Sequence, residues 1–131
     1  MAGYSGTPLP KKLGIAAGSR TAVLNAPADV AAILGPLPDG AVLEPAIGPG
    51  CDLALWFTSE RTALEAEIAR HAAAVPGRGL WILWPKKSSG VGSNLTEAIV
   101  RSCGLAAGLV DYKVCSVNEV WSGLRFTRRK P

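Results

Sequence analysis

Lys86-Lys87-Ser88-Ser89-Gly90-Val91-Gly92-Ser93 is the stretch of this chain whose residue types are best suited to hold a ligand. Two ammonium groups, three hydroxyls and the backbone N–H groups of a glycine-containing loop stand just ahead of a predicted helix start, an arrangement that suits a phosphate or carboxylate. In a Walker loop the lysine follows the glycines and a Ser or Thr completes the motif; here both lysines precede them. Anion binding and a solvated loop are both open readings of it.

Further polar residues fall directly after apolar runs that read as strands. Asn25 follows one, Thr58 and Ser59 follow a second, and the loop from Lys86 to Asn94 follows a third. In an open α/β sheet, ligands bind outside the carboxyl ends of the parallel strands. The expected ligand contacts are therefore Asn25, Thr58, Ser59, Lys86, Lys87, Ser88 and Trp121, with a turn around Asn118 and Glu119 closing the rim. Trp121 has two readings there, covering a ligand or partner and packing on the fold. Glu119 is a candidate base and Lys86 or Lys87 a candidate charge stabiliser, should the chain be an enzyme.

His71 is the single histidine, so any Ser/His or Cys/His mechanism must use it. Its helical phase puts it beside Leu64, Ile68 and Val75, away from the strand ends, which favours a packed structural role. Cys51, Cys103 and Cys115 are odd in number and lack C-x-x-C spacing, which predicts free thiols and no metal site. Trp56, Trp81 and Trp84 sit within apolar strands and read as core.

The elements that must position these groups follow from punctuation and periodicity. Pro8 and Pro10 favour an extended arm over residues 1–12. Thr21 to Asn25 reads as a first strand, and Pro27 opens a helix through Leu34 that Gly35-Pro36 ends. Residues 41–45 form a doubtful element. The link from Glu44 to Asp52 is short for a parallel crossover, so this element is expected to be antiparallel, at an edge, or no strand.

Leu53 to Phe57 and Leu80 to Trp84 are apolar at every position, as central strands covered on both faces require. Ser59 is expected to cap a helix from Glu60 to about Val75 with a stripe of Leu64, Ile68, Ala72 and Val75. Asn94 with Glu97 resembles a capping box opening a helix to about Ala107, and Glu97 and Arg101 are spaced to pair on its surface. Val110 to Val117 and Trp121 to Thr127 read as a terminal hairpin.

The 131 residues are 48% apolar and 18% charged, enough for one core and one domain, 1–131. No run of about 18 apolar residues occurs, which predicts no membrane span, and the start MAGYSGTPLPKK has no signal-peptide segment. A cytoplasmic protein is the expectation. Residues 1–75 carry five Lys/Arg against seven Asp/Glu, a net of −2, and residues 76–131 carry nine against three, a net of +6. The basic half ends in Arg125, Arg128, Arg129 and Lys130. It reads either as a footprint for nucleic acid or as a frayed basic tail, 128–131, kept for solubility, and the tail is favoured.

The words YSGTPLPKKLGI, GLWILWPKKSSG, GLVDYKVCSVNEVWSGLRF and TRRK resemble an uncharacterised bacterial family, domain of unknown function 3052. That resemblance implies no particular activity, substrate or catalytic residue. More loosely, the strand–helix–strand–helix–hairpin series from Cys51 to Arg129 resembles the last half of class I methyltransferases. Those enzymes hold S-adenosylmethionine on a glycine-rich turn after the first strand, whereas this chain has Asn25-Ala26-Pro27-Ala28-Asp29. Glu44 stands where the acidic ribose contact would follow the second strand.

Together these readings predict a small Rossmann-like three-layer α/β sandwich with a mostly parallel sheet and a C-terminal antiparallel hairpin. The expected function is a non-catalytic binding or interaction module that lacks an S-adenosylmethionine site and needs no cofactor. The alternatives are a minimal enzyme acting on an anionic small molecule at the strand ends, and nucleic-acid binding through the basic half. Oligomeric state is left open.

Overall fold

The computed structural model describes residues 7–130. Six strands form one sheet in the order β2-β1-β3-β4-β6-β5. They are β1 (Arg20–Leu24), β2 (Val42–Glu44), β3 (Leu53–Phe57), β4 (Leu80–Pro85), β5 (Leu109–Ser116) and β6 (Trp121–Arg128). The first four are mutually parallel, and β6 runs antiparallel to both β4 and β5.

Every residue of β3 and β4 is buried because each strand feeds two cores. Ala54, Trp56, Leu80, Ile82 and Trp84 face one core, and Leu53, Leu55, Phe57, Trp81 and Leu83 face the other. This is the period-2 alternation of a strand with both faces covered. Helices α3 (Arg61–Ala72) and α4 (Glu97–Ala106) cover the first face through Leu64, Ile68, Ala72 and Val100. Short helices α1 (Leu9–Leu13) and α2 (Val30–Leu34) cover the second through Leu13 and Leu34. The result is the expected three-layer sandwich.

Several local expectations are corrected. The arm foreseen as extended over residues 1–12 is helical from Leu9 onward; its first six residues lie outside the described part. The prolines allow this because Pro8 precedes the helix and Pro10 occupies its first turn, where a missing N–H breaks no helical bond. Gly14, at φ 97°, ends the helix, and the buried indole of Trp81 donates to the Leu13 carbonyl at 2.7 Å.

The doubtful element is an edge strand, and it is parallel: Arg20 to Ala22 pair with Val42 to Glu44. Residues 45–52 return the chain across β1 to β3 without a helix. They suffice because β2 spans only three residues, about 10 Å, and eight extended residues reach about 27 Å.

Neither helix cap falls where the local sequence places it. The Arg61 N–H at the start of α3 is met by Asn94 Oδ1 at 2.7 Å, from a loop 33 residues away, and Ser59 makes no cap. Helix α4 is capped by Thr96, whose Oγ1 accepts from the Ile99 N–H at 3.2 Å. Helix α3 stops at Ala72, before Val75, although Glu97 and Arg101 pair as foreseen, with Asp111 as a second partner of the arginine.

Arg128 and Arg129 of the expected frayed tail are fixed. Arg128 belongs to β6 and donates to the Ala73 carbonyl beyond α3, and Arg129 donates to the Leu105 carbonyl in the last turn of α4. Carbonyls at helix C-termini carry partial negative charge, which favours guanidinium donors there; the Leu105 carbonyl also accepts the Gly108 N–H.

Candidate functional site

The chain leaves β1 toward β2 on one side and then jumps to β3 on the other, which makes the gap between the carboxyl ends of β1 and β3 a topological switch point. Asn25 ends β1 with φ 55°, the single described non-glycine residue with positive φ. Asn tolerates this left-handed backbone better than most residues. Its side-chain Nδ2 donates to the Phe57 carbonyl at 2.9 Å, so the amide spans the switch point from strand end to strand end.

Below that bridge lies a cavity of about 330 Å³ between α3 and the loop that follows β2. Leu24, Ile47 and Trp56 supply apolar wall, and Asn25, Glu67, Arg70 and His71 supply polar groups. Its size is at the lower end of the range for small-molecule sites. The His71 ring packs edge-on against Trp56 at 4.5 Å, and its Nε2 is 3.6 Å from Glu67 Oε1. Burial pushes the imidazole pKa below its ordinary value and neighbouring Arg70 adds to the effect, against the opposite pull of Glu67. His71 is thus packed, as expected, but it is not remote from the strand ends, since it shares this cavity with Asn25.

The other expected contacts are dispersed. Thr58 is buried and donates its backbone N–H to the Leu83 carbonyl. The Ser59 carbonyl accepts from Ser93 Oγ at 2.7 Å. Lys86 Nζ donates to Ser116 Oγ at 2.5 Å and to the Asn118 carbonyl at 2.6 Å, latching the β4 end to the hairpin turn. Lys86 borders a second, wider groove of about 1060 Å³ together with Leu9, Lys12, Ile33 and residues 116–120, Glu119 among them. Lys87 and Ser88 form an exposed 3-10 turn and line neither space. Trp121 is half-buried, with its ring edge-on to Phe57 at 4.9 Å, and lines neither.

The sequence analysis missed Glu67, Arg70 and the loop residues Pro45 to Ile47 as cavity lining. The i,i+3 and i,i+4 spacing of Glu67, Arg70 and His71 was a usable signal for one polar surface on α3. Nothing local showed that residues 45–47 face it.

Two features that would serve a nucleotide are engaged elsewhere or missing. Glu44 is held by Arg20, whose Nε and Nη2 donate to the same Oε2 at 2.9 and 2.5 Å. The turn after β1, residues 25–29, contains no glycine, the residue that permits the closest backbone approach to a ligand. The Cys103 and Cys115 thiols have pKa values raised above the ordinary value, in each case by burial first. Among the described residues no three His, Cys, Asp or Glu side chains gather as a metal site, and no helix is long and apolar enough to cross a membrane.

This strand order, with a parallel sheet ending in an antiparallel pair and helices on both faces, defines a Rossmann-like fold of the methyltransferase type. Solved structures agree. The chain is similar to magnesium protoporphyrin IX methyltransferase from Synechocystis PCC 6803 with bound SAH, at 11% identity and a TM-score of 0.56, covering 93% of this chain and 78% of the other. It is similar to a structure described as a type 11 methyltransferase from Sulfolobus solfataricus, at 10% identity and TM-score 0.54, covering 94% and 90%. A protein in the NADB-Rossmann superfamily from Streptococcus agalactiae matches at 9% identity and TM-score 0.52, covering 94% and 68%. The likeness therefore extends over the whole sheet, β1 and β2 included, and not only the last half. At these identities it shows the fold alone. No family model and no curated protein matches the chain, so the resemblance to domain of unknown function 3052 gains no support.

Proposed function

We propose that this protein is a non-catalytic Rossmann-like binding module that does not use S-adenosylmethionine and takes a small molecule in the cavity between α3 and the loop after β2. The observation that carries this reading is the Asn25 amide donating to the Phe57 carbonyl across the switch point. A ligand entering between β1 and β3 would have to displace that bond. The engagement of Glu44 by Arg20 and the glycine-free turn support the same conclusion.

The cavity beside this bridge is what the fold offers instead. Leu24, Ile47 and the nearly buried Trp56 give apolar and aromatic lining, and Asn25, Glu67, Arg70 and His71 give the polar side. That lining suits a small, flat heteroaromatic molecule with one hydrogen-bonding edge. An anionic ligand at Lys86 has less support, because the ammonium group already serves two oxygen acceptors.

Isothermal titration with S-adenosylmethionine and S-adenosylhomocysteine is expected to give no heat of binding. Micromolar affinity for either would overturn the reading. A library of small heteroaromatic compounds, screened by NMR, is expected to contain binders that shift the Trp56 indole and His71 ring signals and lose their effect in Ala46→Trp, which fills the cavity. A library that leaves both signals unmoved would remove the cavity as a ligand site.

A further inference from the structure

His71 is a buried side chain whose ring makes no hydrogen bond among the described residues. The residue is 9% exposed, and its Nε2 stands 3.6 Å from Glu67 Oε1, beyond hydrogen-bond length. Its Nδ1 has no partner at all. Buried polar groups are nearly always paired, so an exception marks a position served from outside the fold.

Both ring nitrogens keep an opening. Among the described residues Thr21 Oγ1 is the single sealed side-chain nitrogen or oxygen without a partner, so neither nitrogen of His71 is sealed. The open space that His71 lines is the cavity it shares with Leu24, Asn25, Ile47 and Trp56.

The neighbours decide what the ring offers there. The Glu67 carboxylate beside Nε2 favours the proton on that nitrogen, which leaves Nδ1 with its lone pair. Burial, aided by Arg70, favours the neutral ring over the charged one. Glu67 and Arg70, both on α3, are the charged groups that face the imidazole; β3 and residues 45–47 add none. Nδ1 is therefore an acceptor. Arg70 does not compete for it, being bonded to Glu67 with a side chain 71% exposed.

A ligand that fills the cavity excludes water from Nδ1. It must then bring an N–H or O–H of its own, or leave the lone pair unpaired at a cost of about tenfold in affinity. A carboxylate or phosphate would meet both that lone pair and the Glu67 charge, which repel it. Leu24, Ile47 and Trp56 require the rest of the ligand to be apolar.

Resting on the reading of this cavity as a ligand site, we propose that it selects neutral aromatic molecules with an N–H or O–H donor on the ring edge, and that His71 Nδ1 is the acceptor that reads the donor. A ring without that hydrogen fills the same space and leaves the nitrogen unserved.

The test is NMR titration of the isotope-labelled full chain with indole and with benzofuran, which has the same shape and an oxygen in place of the N–H. Both should move the Trp56 and His71 signals, and indole should bind about tenfold more tightly. His71→Phe keeps a ring and has no acceptor, so the two probes should bind it alike. In the parent, saturating indole should lower the His71 pKa further, because only the neutral ring accepts. Equal or tighter binding of benzofuran by the parent, a His71 pKa that indole leaves unchanged or raises, or an indole preference that survives in His71→Phe would each overturn the proposal while the cavity stands as a ligand site. If neither probe moves the Trp56 and His71 signals, the cavity reading falls and this proposal with it.

Discussion

Asn25 and Phe57 end adjacent parallel strands, and the amide of the first donates to the carbonyl of the second at 2.9 Å. A residue at φ 55° thereby ties the two strand ends together where open α/β sheets bind ligands. Asn suits both tasks, since it tolerates the left-handed backbone and carries a donor that Asp lacks at neutral pH.

Asn25→Ala should destabilise the protein by about 1–2 kcal/mol, from the lost hydrogen bond and from a Cβ without compensation in the left-handed region. Asn25→Gly loses the same bond but relieves the backbone, so it should fall between the parent and the alanine variant. Urea denaturation of the three proteins checks the order. Equal losses in both variants would mean that the backbone conformation contributes nothing.

Burial holds the His71 pKa below 6.5 in the folded protein, with Arg70 contributing in the same direction. The unfolded chain therefore binds a proton more readily than the native one. Stability is complete above the unfolded value and falls as the pH drops below it, through the window down to the folded pKa. His71→Phe keeps a ring against Trp56 and has no proton to bind, so its stability should decline less between neutral and mildly acidic pH. Parallel acid dependence in the two proteins would assign the effect to other groups.

Thr21 is fully buried in β1, and its Oγ1 has no hydrogen-bond partner. Replacing a buried, unsatisfied hydroxyl by a methyl of nearly the same shape removes a desolvation cost. Thr21→Val should raise stability by about 1 kcal/mol. A lower midpoint of thermal unfolding would show that the hydroxyl has a partner in solution.

Trp121 has its ring edge against Phe57 and one side packed on the core beneath α1 and α2. Half-burial places the cost of Trp121→Ala at about 2 kcal/mol, below the cost of deleting a fully buried aromatic. Neither cavity should change its ligand response, because Trp121 lines neither. A larger loss accompanied by altered binding would make it a ligand contact.

The apolar runs LALWF and LWILW, together with prolines and glycines between them, determined by themselves that the chain builds two fully covered central strands, two long helices and a terminal hairpin. Burial on both faces leaves a local trace because every position must be apolar. The pairing of Glu97 with Arg101 was equally legible, being set by helical spacing alone. Only the tertiary structure decided that residues 42–44 lie parallel to β1, that Asn94 caps a helix 33 residues earlier, and that residues 45–47 meet His71 across a cavity. It also decided that Lys86 latches the β4 end to the hairpin turn. These are long-range relationships. Three-residue strands and single side-chain bonds carry too little local periodicity to be read from sequence, and their partners are chosen by strand order and packing.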